Sequence, residues 1–158
     1  MKPEISRRDF MRRTAMTTAG AGLTLSGFGS AQKAAGANDK FVVGVIGTGR
    51  MGRDNLADFA KQSDVEIALV CDVFGPNLDL GLKESQGKAK TCKDFREVLD
   101  RKDIDVVIVA TPDHWHALMA VEACKAGKDV YVEKPISTTL EEGRRMVEAA
   151  RKYNRVVQ

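Results

Sequence analysis

Beyond residue 38 the chain alternates between short apolar runs and longer stretches in which apolar residues recur every three or four positions. The run Phe41-Val42-Val43-Gly44-Val45-Ile46 contains no polar residue, so it reads as a strand buried on both faces. Residues 50–61 read as a helix whose apolar positions are Met51, Leu56, Phe59 and Ala60. The alternation continues with a strand at 65–71 and a short helix at 76–85, with Pro76 in its first turn. A short strand at 89–92 and a helical turn or two at 94–99 follow. A strand at 104–110 is nearly continuous in Val and Ile. A helix at 112–126 stops at Gly127, a strand occupies 130–132, and a helix at 139–153 is capped by Thr138 or Thr139. Residues 155–158 begin one more strand. Apolar strands separated by amphipathic helices predict an α/β fold: a doubly wound parallel sheet with helices on both faces and right-handed crossovers.

Residues 1–37 follow a different pattern. Arg7 and Arg8 precede Phe10 and Met11, a weakly apolar run rich in Ala, Gly and Thr follows, and small residues such as Gly29-Ser30-Ala31 and Ala35-Gly36-Ala37 close the segment. The apolar run is too short for a membrane span, which needs about 20 residues. The order of charged start, apolar middle and small-residue end resembles a twin-arginine export signal. A periplasmic or secreted protein is the expectation, with no stable membrane anchor, because no cysteine stands near the possible cleavage points. A disordered basic tail is the alternative.

The 158 residues, 43% hydrophobic and 30% charged, suit one soluble globular domain. The formal charge of +3 is carried by the first 36 residues, which hold six basic and two acidic side chains. The folded part is therefore slightly acidic, and no nucleic-acid partner is expected. Cys71, Cys92 and Cys124 lack metal-ligand spacing and read as small buried hydrophobes.

Three stretches carry candidate chemistry, each where a strand ends. Gly47-Thr48-Gly49-Arg50-Met51-Gly52 fits G-x-G-x-x-G directly after the first strand and opens a helix. Its glycines suit a tight turn, close approach of backbone to a pyrophosphate, and close helix–strand packing. The helix N-terminus then offers N–H groups and partial positive charge to the phosphates. The fold expected is therefore a Rossmann-type dinucleotide-binding domain over residues 38–158, and the cofactor a nicotinamide dinucleotide. Asp72 ends the second strand, 20 residues past Gly52, where its carboxylate can accept hydrogen bonds from ribose hydroxyls. Residues 73–77 hold no Arg or Lys to neutralise a 2′-phosphate, which favours NAD over NADP.

Thr111-Pro112 sits at the same sheet edge, followed by Asp113-His114-Trp115-His116. Thr111 is placed to cap the next helix and Pro112 to fill its first position. His114 and His116, two residues apart, do not share a helix face, and no metal site is expected. Glu133-Lys134-Pro135 follows the strand at 130–132. Lys134 there can act as an acid or base if partial desolvation or neighbouring cations lower its pKa. A surface ion pair between Glu133 and Lys134 is the alternative, and a cis Lys134–Pro135 bond is plausible.

Gly47, Gly49 and Gly52, Asp72, Thr111-Pro112 with His116, and Ala126-Gly127-Lys128 leading into Glu133-Lys134-Pro135 together resemble the Gfo/Idh/MocA oxidoreductases. The resemblance covers residues 40–158. It implies that Lys134 is the catalytic lysine, that Glu133 and His116 line the cofactor pocket, and that Thr111 and Pro112 pack along the dinucleotide. It further implies a sugar, polyol or related alcohol as substrate and a homo-oligomer for the whole protein. The Asp and His that such enzymes carry on a second, substrate domain have no counterpart here, so that domain is expected outside these 158 residues. An NAD-dependent glycosidase of the same family and a non-catalytic nucleotide-binding module are the alternative readings.

Overall fold

A computed structural model describes residues 40–158. The expected export segment, residues 1–37, lies outside the described residues. Five parallel strands form one sheet: β1 (Phe41–Ile46), β2 (Val65–Cys71), β3 (Lys90–Cys92), β4 (Val106–Val109) and β5 (Asp129–Val132). Their order in the sheet is β3-β2-β1-β4-β5. The chain therefore runs outward from β1 to one edge, returns, and continues to the other edge, which makes a switch point beside β1. The last residues pair next to β5, with Val130 N donating to Val156 O at 2.8 Å and Gln158 N donating to Val130 O at 2.9 Å.

The helices are α1 (Arg50–Ala60), α2 (Gly75–Glu84), α3 (Phe95–Asp100), α4 (His116–Lys125) and α5 (Leu140–Tyr153). Because successive strand residues point to opposite faces, each apolar strand feeds two cores. Val43, Val45 and Ile108 pack with Leu56 of α1 and Leu78 of α2. Ile46, Val107 and Val109 pack with Phe95 and Val98 of α3, Met119 of α4 and Met146 of α5. Each such side chain, fully buried, contributes roughly 1.5–3 kcal/mol.

The described elements match the expected order, with two local differences. The strand expected at 104–110 is confined to Val106–Val109. Ahead of it, the Asp105 side chain accepts from Val42 N at 2.9 Å while Asp105 N donates to Val42 O at 2.8 Å. The helix expected at 112–126 divides into a 3₁₀ turn, Asp113–Trp115, and α4. Pro112 is extended (ψ 144°), so Thr111 does not cap the helix; its hydroxyl instead contacts Met119 Sδ at 3.8 Å. At α5, Thr139 rather than Thr138 is the cap, in a reciprocal box with Glu142.

Lys128, next to the stop of α4 at Gly127, is buried. Its Nζ donates to the carbonyls of Arg101 (2.6 Å) and Ile104 (2.8 Å), closing the α3–β4 connection over the end of α4. Burial, reinforced by the charge of Lys102, holds its pKa below the ordinary lysine value.

Candidate functional site

The turn between β1 and α1 is built by backbone proximity. Gly47 has a positive φ of 87° and lies against Ala110; Gly52 lies against Gly47, where a Cβ would come within 1.8 Å of the Gly47 carbonyl oxygen. These two glycines let α1 start directly above the end of β1. A Cβ on Gly49, by contrast, would meet nothing within 4 Å, so this backbone faces open space. Gly49 is also the N-cap of α1, with no side-chain cap and no acidic residue in the first turn. The N–H groups and partial positive charge of that helix end are thus left for an anion.

Thr48 was expected beside the cofactor, but the structure buries it completely. Its hydroxyl donates to Asn77 O at 2.9 Å, its methyl packs on Gly81 of α2, and Arg53 Nη1 donates to its carbonyl at 2.8 Å. Thr48 shapes the turn from behind. Its backbone N donates to Asp72 Oδ2 at 2.8 Å, and Phe74 N donates to Asp72 Oδ1 at 2.9 Å. Oδ2 also lies 3.2 Å from the Thr48 hydroxyl and accepts from Asn77 Nδ2 at 3.4 Å, so it is Oδ1, with Phe74 N as its one donor, that keeps capacity for a further hydrogen bond. The same end of the cleft is lined by Lys93 and Arg96, brought in by the β3–α3 connection. Arg96 is engaged by Asp94 at 3.1 Å and lies 4.7 Å from the Phe95 ring centre. A reading confined to residues 73–77 missed these cations, because β3 reaches Asp72 only through sheet pairing.

On the other side of β1, Thr111 and Pro112 follow β4, and Glu133 and Lys134 follow β5; all four line the cleft. Lys134 is exposed there, and the Lys134–Pro135 bond is cis. Glu133 directs its two oxygens elsewhere than to the neighbouring ammonium. Oε1 accepts from Asn55 Nδ2 of α1 at 2.8 Å, and Oε2 accepts from Lys134 N at 3.0 Å. His116 was expected to line the pocket, but it is 1% exposed and sits behind it. Its Nδ1 lies 2.8 Å from Pro135 O and its Nε2 2.7 Å from Thr111 O. At the start of α4 its ring reaches both turns, so backbone carbonyls claim both nitrogens.

These elements enclose one cleft of about 990 Å³ along the carboxyl edge of the sheet. It joins Gly47, Gly49, Arg50 and Met51 to Asp72 on one side and to Thr111, Pro112, Glu133 and Lys134 on the other. Thr48, Gly52 and His116 lie outside its lining. From β2 to β5 is three strand spacings, roughly 14 Å. Asp72 and Lys134 therefore cannot touch one small molecule, but they can meet opposite ends of a dinucleotide whose pyrophosphate lies over Gly49. Cys71 lies in the cleft floor and pairs in register with Cys92; the neighbouring Cys92 thiol and burial push the Cys71 pKa up. All three cysteines are buried and free. Among the described residues, no group of three or more His, Cys, Asp or Glu is placed to hold a metal ion, and no helix is long and apolar enough to cross a membrane.

Residues 41–158 match the family described as "Oxidoreductase family, NAD-binding Rossmann fold", the Gfo/Idh/MocA group. A curated relative, a glycosyl hydrolase family 109 protein of Shewanella baltica strain OS185, is 34% identical over 169 residues; the alignment covers 92% of this chain and 37% of the relative. The WlbA dehydrogenase of Chromobacterium violaceum, solved with NADH and UDP-GlcNAcA, superposes with a TM-score of 0.71 at 28% identity, over 76% of this chain and 34% of that one. The scyllo-inositol dehydrogenase of Lactobacillus casei, solved with NAD(H) and scyllo-inositol, gives a TM-score of 0.69 at 27% identity, over 75% and 35%. The chain spans about a third of the length of these relatives and corresponds to their NAD-binding domain.

Proposed function

Since the chain belongs to the Gfo/Idh/MocA oxidoreductase family and carries its NAD-binding Rossmann domain, we propose that it is the cofactor portion of an enzyme that oxidises or reduces a CH–OH group of a sugar, polyol or related alcohol. The observation that carries this reading is the single cleft in which an uncapped helix N-terminus lies between Asp72 and Lys134. Gly47, Gly49 and the first turn of α1 hold the pyrophosphate, Asp72 the adenosine ribose, and Thr111, Pro112 and Glu133 the nicotinamide half. When bound, the nicotinamide supplies the acceptor or donor of a hydride. The protein's part is the proton: Lys134 accepts it from the substrate hydroxyl as the carbonyl forms, and returns it in reverse. Substrate-domain residues beyond this chain complete the site, and the whole protein is a homo-oligomer.

The assay is nicotinamide absorbance with the protein expressed from its whole reading frame, NAD, and a panel of sugars and polyols. Reduction of NAD supports the reading; failure to bind NAD overturns it. The glycosyl hydrolase relative favours a second reading, in which transient oxidation beside a glycosidic carbon permits elimination and the cofactor ends unchanged. Sugar release without net NADH selects that reading.

NAD is the cofactor used in preference to NADP, because the Asp72 carboxylate repels a 2′-phosphate. With Lys93 and Arg96 lining the same end, Asp72→Ser is expected to shift the ratio of NADP to NAD affinity toward NADP by about tenfold or more, the scale of relieving one like-charge contact. Titration of both cofactors checks this, and an unchanged ratio removes Asp72 as the discriminator.

The segment 1–37 directs export through the twin-arginine route, which carries folded proteins and so delivers the domain with its dinucleotide in place. Replacing Arg7 and Arg8 with lysine is expected to leave the protein in the cytoplasm on cell fractionation; continued export would remove this reading.

A further inference from the structure

Lys134 is exposed, and none of the hydrogen bonds described above restrains its side-chain nitrogen. Its backbone is held from two sides. In front, Lys134 N donates to Glu133 Oε2, and the same carboxylate accepts from Asn55 Nδ2, 78 residues away on α1. Behind, Pro135 O lies 2.8 Å from His116 Nδ1, and the other nitrogen of that buried ring lies 2.7 Å from Thr111 O. One link runs to the helix whose N-terminus faces the phosphates, the other to the turn after β4 that lines the nicotinamide half. Neither Asn55 nor His116 lines the cleft.

We propose that Asn55 and His116 are positioning residues for Lys134: together they fix the backbone that carries the lysine to the two elements that hold the dinucleotide. This rests on the reading of Lys134 as the proton-transfer group. The physical reason is that proton transfer needs the amine within hydrogen-bond reach of the substrate hydroxyl, and a displacement of about 1 Å can cost on the order of a hundredfold in rate. A long, exposed side chain cannot set that distance, so its anchor must.

The test uses the protein expressed from its whole reading frame. Asn55→Ala is expected to lower kcat about tenfold, and His116→Gln on the order of a hundredfold, with NAD affinity and the KM for NAD little changed. Both losses should vanish when the same changes are made in a Lys134→Ala background, because a mount without its lysine has nothing to position. His116→Gln alters a buried site that bears on folding; Asn55→Ala, on a half-buried helix surface, keeps the test open if the former does not fold. Amide hydrogen exchange supplies an arm independent of activity: Lys134 N should exchange faster in each variant, with β1 and β2 unaffected. Wild-type kcat in both variants, or losses that persist undiminished in the Lys134→Ala background, overturns the proposal. If Lys134→Ala itself turns over normally, the function assigned to Lys134 fails. The exchange arm then decides the mount alone: faster exchange sustains it and unchanged exchange removes it.

Discussion

Lys134→Ala is expected to reduce turnover by about 10²–10⁴-fold, the usual contribution of a positioned acid or base, while NAD affinity stays close to wild type. The side chain projects from the turn after β5 into the cleft, about three strand spacings from Asp72, roughly 14 Å. It is therefore remote from the places proposed for the adenosine half and for the phosphates. The backbone of the turn is held by Glu133 and His116 through main-chain atoms, not through the lysine side chain, so its removal leaves the pocket walls intact. The measurement is kcat beside the dissociation constant for NAD. Loss of NAD binding with an unchanged fold would move Lys134 from proton transfer to cofactor retention, and unchanged turnover would end the catalytic assignment.

The second large effect separates two glycines of one motif. Gly52→Ala is expected to destabilise the domain by roughly 3 kcal/mol or more, at the upper end of what overpacking costs, because the new Cβ would lie 1.8 Å from the Gly47 carbonyl oxygen and backbone cannot swing aside as a side chain can. For a domain of this size that is a fall in Tm on the order of 10 °C, with loss of NAD binding as α1 is pushed off β1. Gly49→Ala is expected to leave Tm nearly unchanged, since its Cβ points into open space, yet to weaken NAD binding by obstructing the approach of the pyrophosphate. Thermal melts and NAD titration on both variants check the contrast. Equal melting temperatures for wild type and Gly52→Ala would refute the packing argument. Undiminished NAD affinity in Gly49→Ala would refute the placement of the phosphates.

Within residues 40–158 the element order was legible in sequence because short runs that are largely or, as in β1 and β4, wholly apolar and helices apolar every third or fourth position are different periods, readable within a dozen residues. The glycine turn was legible for a similar reason: the end of β1, the turn and the start of α1 are contiguous. The start of α4 was misread because Thr111-Pro112 suits a helix start in isolation, whereas the extended Pro112 delays the helix by a 3₁₀ turn. Thr48 and His116 belonged to motifs correctly located, but motif membership did not say which way the side chains turned. Thr48 turns inward because Gly81 leaves room for it, and His116 because two carbonyls, one of them 19 residues away, converge on its ring. Asn55, Lys93 and Arg96 carried no local signal; they join the site or its support through α1 and through the pairing of β2 with β3.

The residue string by itself determined the layering of the domain, the carboxyl edge of the sheet as the place for a ligand, and Gly47 to Gly52, Asp72, Thr111-Pro112 and Glu133-Lys134 as the residues to examine. Each depends on neighbours close along the chain, where periodicity and turn chemistry act. Tertiary structure alone decided which of those side chains line the cleft, which cations stand near Asp72, and what holds Lys134. Those are set by hydrogen bonds and packing between residues up to 78 positions apart, whose distances come into being only when β3-β2-β1-β4-β5 are laid side by side.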